Sequence, residues 1–269
     1  MNTPQKLIII KLGGSVIDSK DSAVLDVLEL SQLSGWHVVV VHGGGKLVTQ
    51  WIADKGIKSE FHQGERITDR CSLDVVTAVL CGLANKETTA AFRAAGVNAV
   101  GISGVDGGLI QGKIRDEQLG YIGDIVQINS SVLETLLQAG FIPIVSPVSL
   151  NLNPTSSDTL LLNVNGDTVA GEIAAAMQAD LLVFLTDVDG LKDAAGNAIR
   201  YLDANQAESM LSSNVAYGGM IPKLHACMHA VNAGVVCRIV DGRSTHPILS
   251  AIENDSNGST ISASRRNIK

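Results

Sequence analysis

Six short apolar runs rich in β-branched residues, LIII, VVVV, NAVGIS, FIPIVSPV, LLVFLT and VVCRIV, recur along this chain of 269 residues. Most are separated by longer segments with apolar residues at helical spacing, such as Leu73-Val76-Val79-Leu80-Leu83 and Val132-Leu133-Leu136-Leu137. Strands without polar alternation are buried on both faces, so this order predicts an α/β fold, a mostly parallel sheet covered by helices on both sides. The runs end in Gly13-Gly14, Gly43-Gly44-Gly45, Ser103-Gly104, Ser146 and Thr186-Asp187. In open α/β sheets ligands bind beyond the carboxyl ends of the strands, and those tips are where chemistry is expected. The length suits one large unit or two closely joined lobes. NLNPTSSD, residues 151–158, reads as an exposed loop, and VAGEIAAAMQA after Asp167 as a helix leading from one lobe to the next.

The first two runs share an unusual ending. IIIKLGGS places Lys11 at the tip of a buried strand and then breaks into glycines, and VVVVHGGGK does nearly the same one unit later. Glycines at a strand-to-helix junction let successive N–H groups converge on one spot, an arrangement that attracts phosphate. Each tract alone is equally compatible with a tight turn. There is no GxxxxGK[ST] and no dinucleotide fingerprint. A buried ammonium at Lys11 needs an anionic partner, either a structural carboxylate or a transferring phosphoryl group. In GGMIPK, Lys223 follows Gly218-Gly219 in the expected first turns of a helix, where anions are favoured over cations. An anion shared by lysine and helix accounts for it.

Composition narrows the function. Aromatic residues make up 3% of the chain and the net charge is -7, which disfavours stacking platforms and charge-driven binding to nucleic acid or anionic membranes. The four cysteines form no CxxC pair and are expected to be reduced and buried. No apolar stretch is long enough for a signal-peptide core or a bilayer span, and a cytoplasmic location is expected.

Taken in order, KLGGS, VHGGG, GERITD, GLANK, AVGISGVDG, GFIPIVSPV, NVNGD, LLVFLTDVDGL, GGMIPK and IVDGR cover nearly the whole chain and resemble the amino-acid kinase family, within it the acetylglutamate kinases. The resemblance implies a three-layer αβα sandwich around an open, mainly parallel sheet. It implies two lobes: residues 1–166 for the acyl amino acid and dimerisation, and 167–269 for ATP. The implied reaction moves the γ-phosphoryl group of MgATP to the side-chain carboxylate of N-acetyl-L-glutamate, a step of arginine biosynthesis. A carboxylate is already ionised at neutral pH, so charge cancellation rather than a general base is needed.

By the same resemblance, Lys11 contacts the phosphoryl group from the substrate side and Lys223 from the nucleotide side. Gly14, Gly44 and Gly45 offer N–H groups to its oxygens, with Gly13 beside them, and Asp167 organises both lysines. Asp167 could equally cap the following helix. Arg66 grips the substrate α-carboxylate, a task suited to a bidentate donor. Asn163 hydrogen-bonds the amino-acid end, and Asn165, two residues on, would face the same side of a strand. Thr186, Asp187, Val188, Gly190 and Leu191 line the nucleotide site, completed by Gly218, Gly219 and Met220. Mg²⁺ is expected to arrive with the nucleotide, without a direct protein ligand.

Other readings remain. A related branch acts on aminoadipate or glutamate linked to a carrier protein, and a sensor of the same fold would bind nucleotide without turnover. Glu65, Gly166 and NLNPTSSDTLL depart from the family pattern around the substrate pocket. His225 and His229 stand at i, i+4 but lack further zinc ligands, and a solvated helix face is the expectation. His42 is expected to pack or hydrogen-bond beside the glycine loop. A homodimer joined through the Leu73–Leu83 helix is expected. With the first strand starting near Leu7, there is no room for the extra amino-terminal helix of arginine-inhibited hexamers, so little inhibition by arginine is expected.

Overall fold

The computed structural model describes residues 5–13, 20–33, 35–58, 60–62, 65–154, 159–213, 218–253 and 258–263. Gly14 lies outside them, as does most of the loop expected at 151–158. The strands in chain order are β1 (Lys6–Leu12), β2 (Trp36–His42), β3 (Phe61–His62), β4 (Glu65–Arg66), β5 (Ala99–Ser103), β6 (Ile110–Ile114), β7 (Gly123–Ile128) and β8 (Ile142–Ser146). They continue with β9 (Val148–Asn151), β10 (Leu161–Asn163), β11 (Leu181–Thr186), β12 (Leu191–Lys192), β13 (Ala198–Ile199), β14 (Tyr201–Leu202), β15 (Val236–Asp241) and β16 (Ser259–Ile261). An eight-stranded sheet runs β14-β16-β15-β11-β1-β2-β8-β5, parallel except where β16 meets β15. All six apolar runs supply strands of this sheet.

The helices are α1 (Lys20–Gln32), α2 (Gly45–Asp54), α3 (Arg70–Thr77), α4 (Asn85–Ala94), α5 (Ser131–Gln138), α6 (Gly166–Ala176), α7 (Ala204–Ser212), α8 (Met220–Asn232) and α9 (Pro247–Ile252). Alternation along β1 divides the core in two. Leu7 and Ile9 pack with residues of α6 and α8 such as Ile173, Leu224 and Cys227. Ile8 and Ile10 pack on the opposite face with Val24 and Val27 of α1, Phe92 of α4 and Ile248 of α9. Successive strand residues point to opposite faces, so one apolar run feeds both cores and the three-layer sandwich follows. By the same parity, Lys11 faces the α6/α8 side.

A second sheet, β10-β9-β6-β7, mixes parallel and antiparallel pairs and stands beside the main one. The Leu73–Leu83 segment is not one regular α-helix: α3 passes into a π turn, Ala78–Ala84, and then into α4. Its apolar stripe packs inward. Leu73, Val76, Val79 and Leu80 are buried, three of them in a cluster with Val48, Ile52 and Val148. That stripe packs within the chain itself, so any contact made by this segment with a second copy would have to use its other side. Among the described residues no helix is long and apolar enough to cross a membrane. The four cysteines are free, but only Cys227 and Cys237 are fully buried; Cys71 is exposed and Cys81 intermediate, because α3 presents Cys71 away from its apolar stripe.

Candidate active site

The chain leaves β1 toward β2, β8 and β5 on one side, whereas β11 and β15 extend the sheet on the other. The β1/β11 boundary is therefore the topological switch point, and the residues at its carboxyl end meet helices from both halves. Lys11 sits there with 7% of its surface exposed. Its Nζ lies 2.7 Å from Asp167 Oδ1, and Lys223 Nζ lies 3.0 Å from Asp167 Oδ2. One carboxylate thus bridges two ammonium groups that are 212 positions apart in sequence.

Local structure explains each arm. Asn165, not Asp167, caps α6, accepting the Asp167 N–H at 2.8 Å through its side-chain oxygen. Asp167 is left in the first turn, where the helix dipole favours a carboxylate. Asn165 therefore does not continue the strand of Asn163, as the two-residue spacing suggested; it turns the chain into the helix. Lys223 lies in the first turn of α8, one bond reaching Asp167 and another the Gly219 carbonyl at 3.3 Å. Burial pushes the Asp167 pKa upward, but the ammonium groups of Lys11 and Lys223 outweigh it and hold the carboxyl below its ordinary value. Burial draws Lys11 below the ordinary lysine value, and Lys223 adds to this, while Asp167 resists.

Next to this bracket, β2 ends in His42 and the glycine tract. Gly44 is buried with φ 156°, and a Cβ there would stand 2.6 Å from Leu80 Cδ2, so both conformation and space call for glycine. Gly45 opens α2. Gly13 continues the β1 ladder, its N–H bonding Leu185 O at 3.2 Å. His42 is fully buried and hydrogen-bonds beside the loop, as expected of it, and burial lowers its pKa to about 4. A neutral imidazole with that pKa is not a base poised for neutral pH.

Arg66 and Asn163 belong to a second polar network. The Arg66 guanidinium is buried and donates to Thr49 Oγ1, whose own hydroxyl donates to Gly45 O at 2.7 Å. Thr68 Oγ1 donates to Arg66 O at 2.8 Å and accepts from Asn163 Nδ2 at 3.0 Å. The backbone closes the circuit through Tyr121 N–H to Thr68 O and Asn163 N–H to Tyr121 O. Thr49 and Thr68 escaped sequence reasoning, being single hydroxyl residues outside any tract. At Gly166 an added Cβ would meet His42 O at 3.4 Å and Lys11 Cε at 3.6 Å, ordinary contact, so alanine also fits there.

On the other flank a cavity of about 310 Å³ is lined by Thr186, Asp187, Val188, Gly190, Leu191, Gly219, Met220 and Lys223, eight of the residues assigned to nucleotide. Lys192 and Met210 line it as well, without a motif to announce them. Gly218 is exposed in the left-handed region just before α8, outside that lining. His229 meets Glu172 at 3.2 Å across α8 and α6, and His225 is exposed, in keeping with a solvated face.

The chain belongs to the amino acid kinase family, whose pattern matches residues 6–241. Among its relatives it is 46% identical over 256 residues, 95% of this chain and 94% of the other, to an acetylglutamate kinase of Dehalococcoides mccartyi. It is 41% identical over 261 residues, 95% and 87% of the two chains, to the acetylglutamate kinase of Cereibacter sphaeroides. A crystal structure from Streptococcus mutans UA159 shares 25% identity at a TM-score of 0.83, covering 96% of this chain and 99% of that one. Carbamate kinase of Giardia shares the fold at a TM-score of 0.72 and 14% identity, covering 97% and 100%.

Proposed function

We propose that this protein transfers the γ-phosphoryl group of MgATP to the side-chain carboxylate of N-acetyl-L-glutamate, yielding an acyl phosphate and ADP for arginine biosynthesis. The observation that carries the reading is the Lys11–Asp167–Lys223 bracket, with the Arg66–Thr68–Asn163 polar network in the amino-terminal half and the cavity of β11 and α8 in the other. Two anions must approach in line, and two fixed cations on either side of the transferring group lower the cost of that approach. Asp167 orients both and is not itself a base. Gly14, Gly44 and Gly45 offer N–H groups to the equatorial oxygens, and Lys11 and Gly13 border the terminal phosphate.

In this reading Arg66 holds the α-carboxylate and Asn163 the amino-acid end of the substrate, while Asn165, which caps α6, sets Asp167 in place. The TDVDGL turn, with Gly218, Gly219, Met220 and Lys223, takes the nucleotide. Each oxygen of Asp167 is already engaged by an ammonium. Mg²⁺ therefore enters as part of MgATP, coordinated by phosphate oxygens, as suits a cation that prefers phosphate and water. Residues 1–166 form the acyl-amino-acid lobe and 167–269 the nucleotide lobe, and two protomers associate through the former. The consumption of ATP fits the cytoplasm expected from the sequence.

The test is ADP release with MgATP, comparing N-acetyl-L-glutamate with glutamate, aspartate, N-acetylaspartate and carbamate, with hydroxylamine trapping any acyl phosphate. Turnover confined to acetylglutamate is the expected result. Equal turnover with carbamate or free glutamate would reject it.

A further inference from the structure

Two motifs, GLANK and AVGIS, have no role in the reaction as described, yet their residues meet directly behind the glycine tract. Asn85 begins α4, is fully buried, and points its side-chain nitrogen at Ile144 O (2.8 Å), Ile102 O (3.2 Å) and His42 Nε2 (3.1 Å). Two of these neighbours are carbonyl oxygens that can only accept, so the amide must present its NH₂ to this side. Its oxygen is correspondingly held by Lys86 Nζ at 3.0 Å, and the same ammonium reaches Gly101 O at 2.9 Å. A Cβ at position 101 would collide with Asn85 Oδ1 at 2.2 Å and Thr89 Oγ1 at 2.4 Å, so the glycine of AVGIS makes room for this amide.

Asn85 and Gly43 together fix the tautomer of His42. The Asn85 nitrogen cannot accept, so a proton on Nε2 would find no acceptor there. Gly43 O can only accept, so the ring proton resides on Nδ1 and is donated to it at 2.7 Å. In a planar trans peptide the carbonyl of one residue and the N–H of the next point in opposite directions. Holding the Gly43 carbonyl toward the ring therefore sends the Gly44 N–H the other way. The preceding peptide is pinned separately, its Gly43 N–H bonding Leu12 O at 3.1 Å, so the ring's bond to Gly43 O orients the next peptide from a fixed base.

We infer that His42 is a positioning residue: in the Nδ1–H tautomer imposed by Asn85, its ring holds the Gly43–Gly44 peptide so that the Gly44 N–H faces the transferring phosphoryl group. This rests on the reaction proposed above. The relay runs from the Lys86 ammonium through the Asn85 amide and the imidazole to one peptide plane. Burial supports it by keeping the ring neutral, with the pKa near 4.

The inference is tested in two ways. Nitrogen-15 NMR of histidine-labelled wild-type protein should find residue 42, assigned through the signal lost in His42→Asn, with its proton on Nδ1 and a bare Nε2 throughout the neutral range. A proton on Nε2 would overturn the inference irrespective of any activity. In kinetics, asparagine can place its amide nitrogen where Nδ1 lies, whereas glutamine reaches the Nε2 position and leaves Gly43 O unbonded. His42→Gln should lose about 10–100-fold in kcat with both KM values within about threefold, the scale expected for a misaimed donor to a developing charge. His42→Asn should retain at least about tenfold more kcat than His42→Gln. Equal kcat in two folded variants would count against the relay. If neither variant folds, the wild-type tautomer decides. Wild-type protein that phosphorylates no acyl amino acid would reject the reaction, and the tautomer would still report on the relay.

Discussion

Lys11 and Lys223 share one carboxylate but are held by different means. Lys11 is on the central strand of an eight-stranded sheet, flanked by β2 and β11, with its side chain 8% exposed. Lys223 projects from the first turn of a helix, its side chain 15% exposed, with a second bond to a carbonyl one turn back. The strand lysine is fixed on both sides by ladders and depends on Asp167 to remain charged. The helix lysine reaches the same acid from a surface that borders the cavity of β11 and α8, the proposed nucleotide site. A fixed charge suits the acceptor side, where two anions must be brought together; a charge at the cavity edge suits the leaving group.

Removing the shared acid breaks the comparison most severely. Asp167→Asn leaves two ammonium groups facing each other, and we expect kcat to fall about 10³-fold and stability by about 3–5 kcal/mol, as for other buried pairs that lose one partner. Chemical denaturation matching wild type would refute this. The sign of the pH effect agrees: the folded pKa of Asp167 lies below its unfolded value, so its contribution is present above about pH 4 and lost as pH falls through the folded value.

Lys11→Ala should lower kcat by about 10³-fold and Lys223→Ala by about 10²-fold, each with KM values little changed. The double variant should be scarcely worse than Lys11→Ala, because the lysines act on one phosphoryl group. Fully multiplicative losses would mean that they act independently. Arg66→Lys keeps the charge but not the fork, and is expected to raise KM for the acyl amino acid about tenfold at nearly constant kcat; a change confined to KM for ATP would relocate Arg66. The smallest effect concerns pH. Because Lys11 is active when protonated and its pKa is lowered, kcat should decline on the alkaline side before the ordinary lysine value of 10.5. A profile flat beyond that value would show that Lys11 is not the titrating group.

The contrast between the lysines also explains what could be read in advance. The strands were legible because runs such as LIII and VVVV have no polar alternation, and Lys11 stood out as a charge just before a glycine tract. Lys223 and Asp167 were legible as charges beside helix starts. Their meeting was not contained in either segment, and the family resemblance supplied it. Asn165 was misread because a two-residue spacing after a short strand cannot reveal that the strand has already ended. Thr49 and Thr68 could not be found, since their roles arise only when α2, β4 and the end of β10 come together. The amphipathic stripe from Leu73 was correctly seen as helical, but periodicity could not show that it packs within the chain's own core.

The π turn at Ala78–Ala84 alters the phase of the helical rod that runs from Arg70 to Ala94. Each α-helical residue advances the side chains by about 100°, so one extra residue in a turn rotates everything downstream by about that angle. Before the turn the buried side chains, Val75 and Val76 among them, serve the small core under α2; after it, Phe92 serves the main sheet. Asn85 is the first residue in the new phase. Straightened into α-helix at full length, Ala78–Ala84 would swing Asn85 about 100° off His42 with every side chain of the site unchanged, whereas deleting one residue there would cancel that rotation. In this fold, the register of one helix carries information that no single residue does.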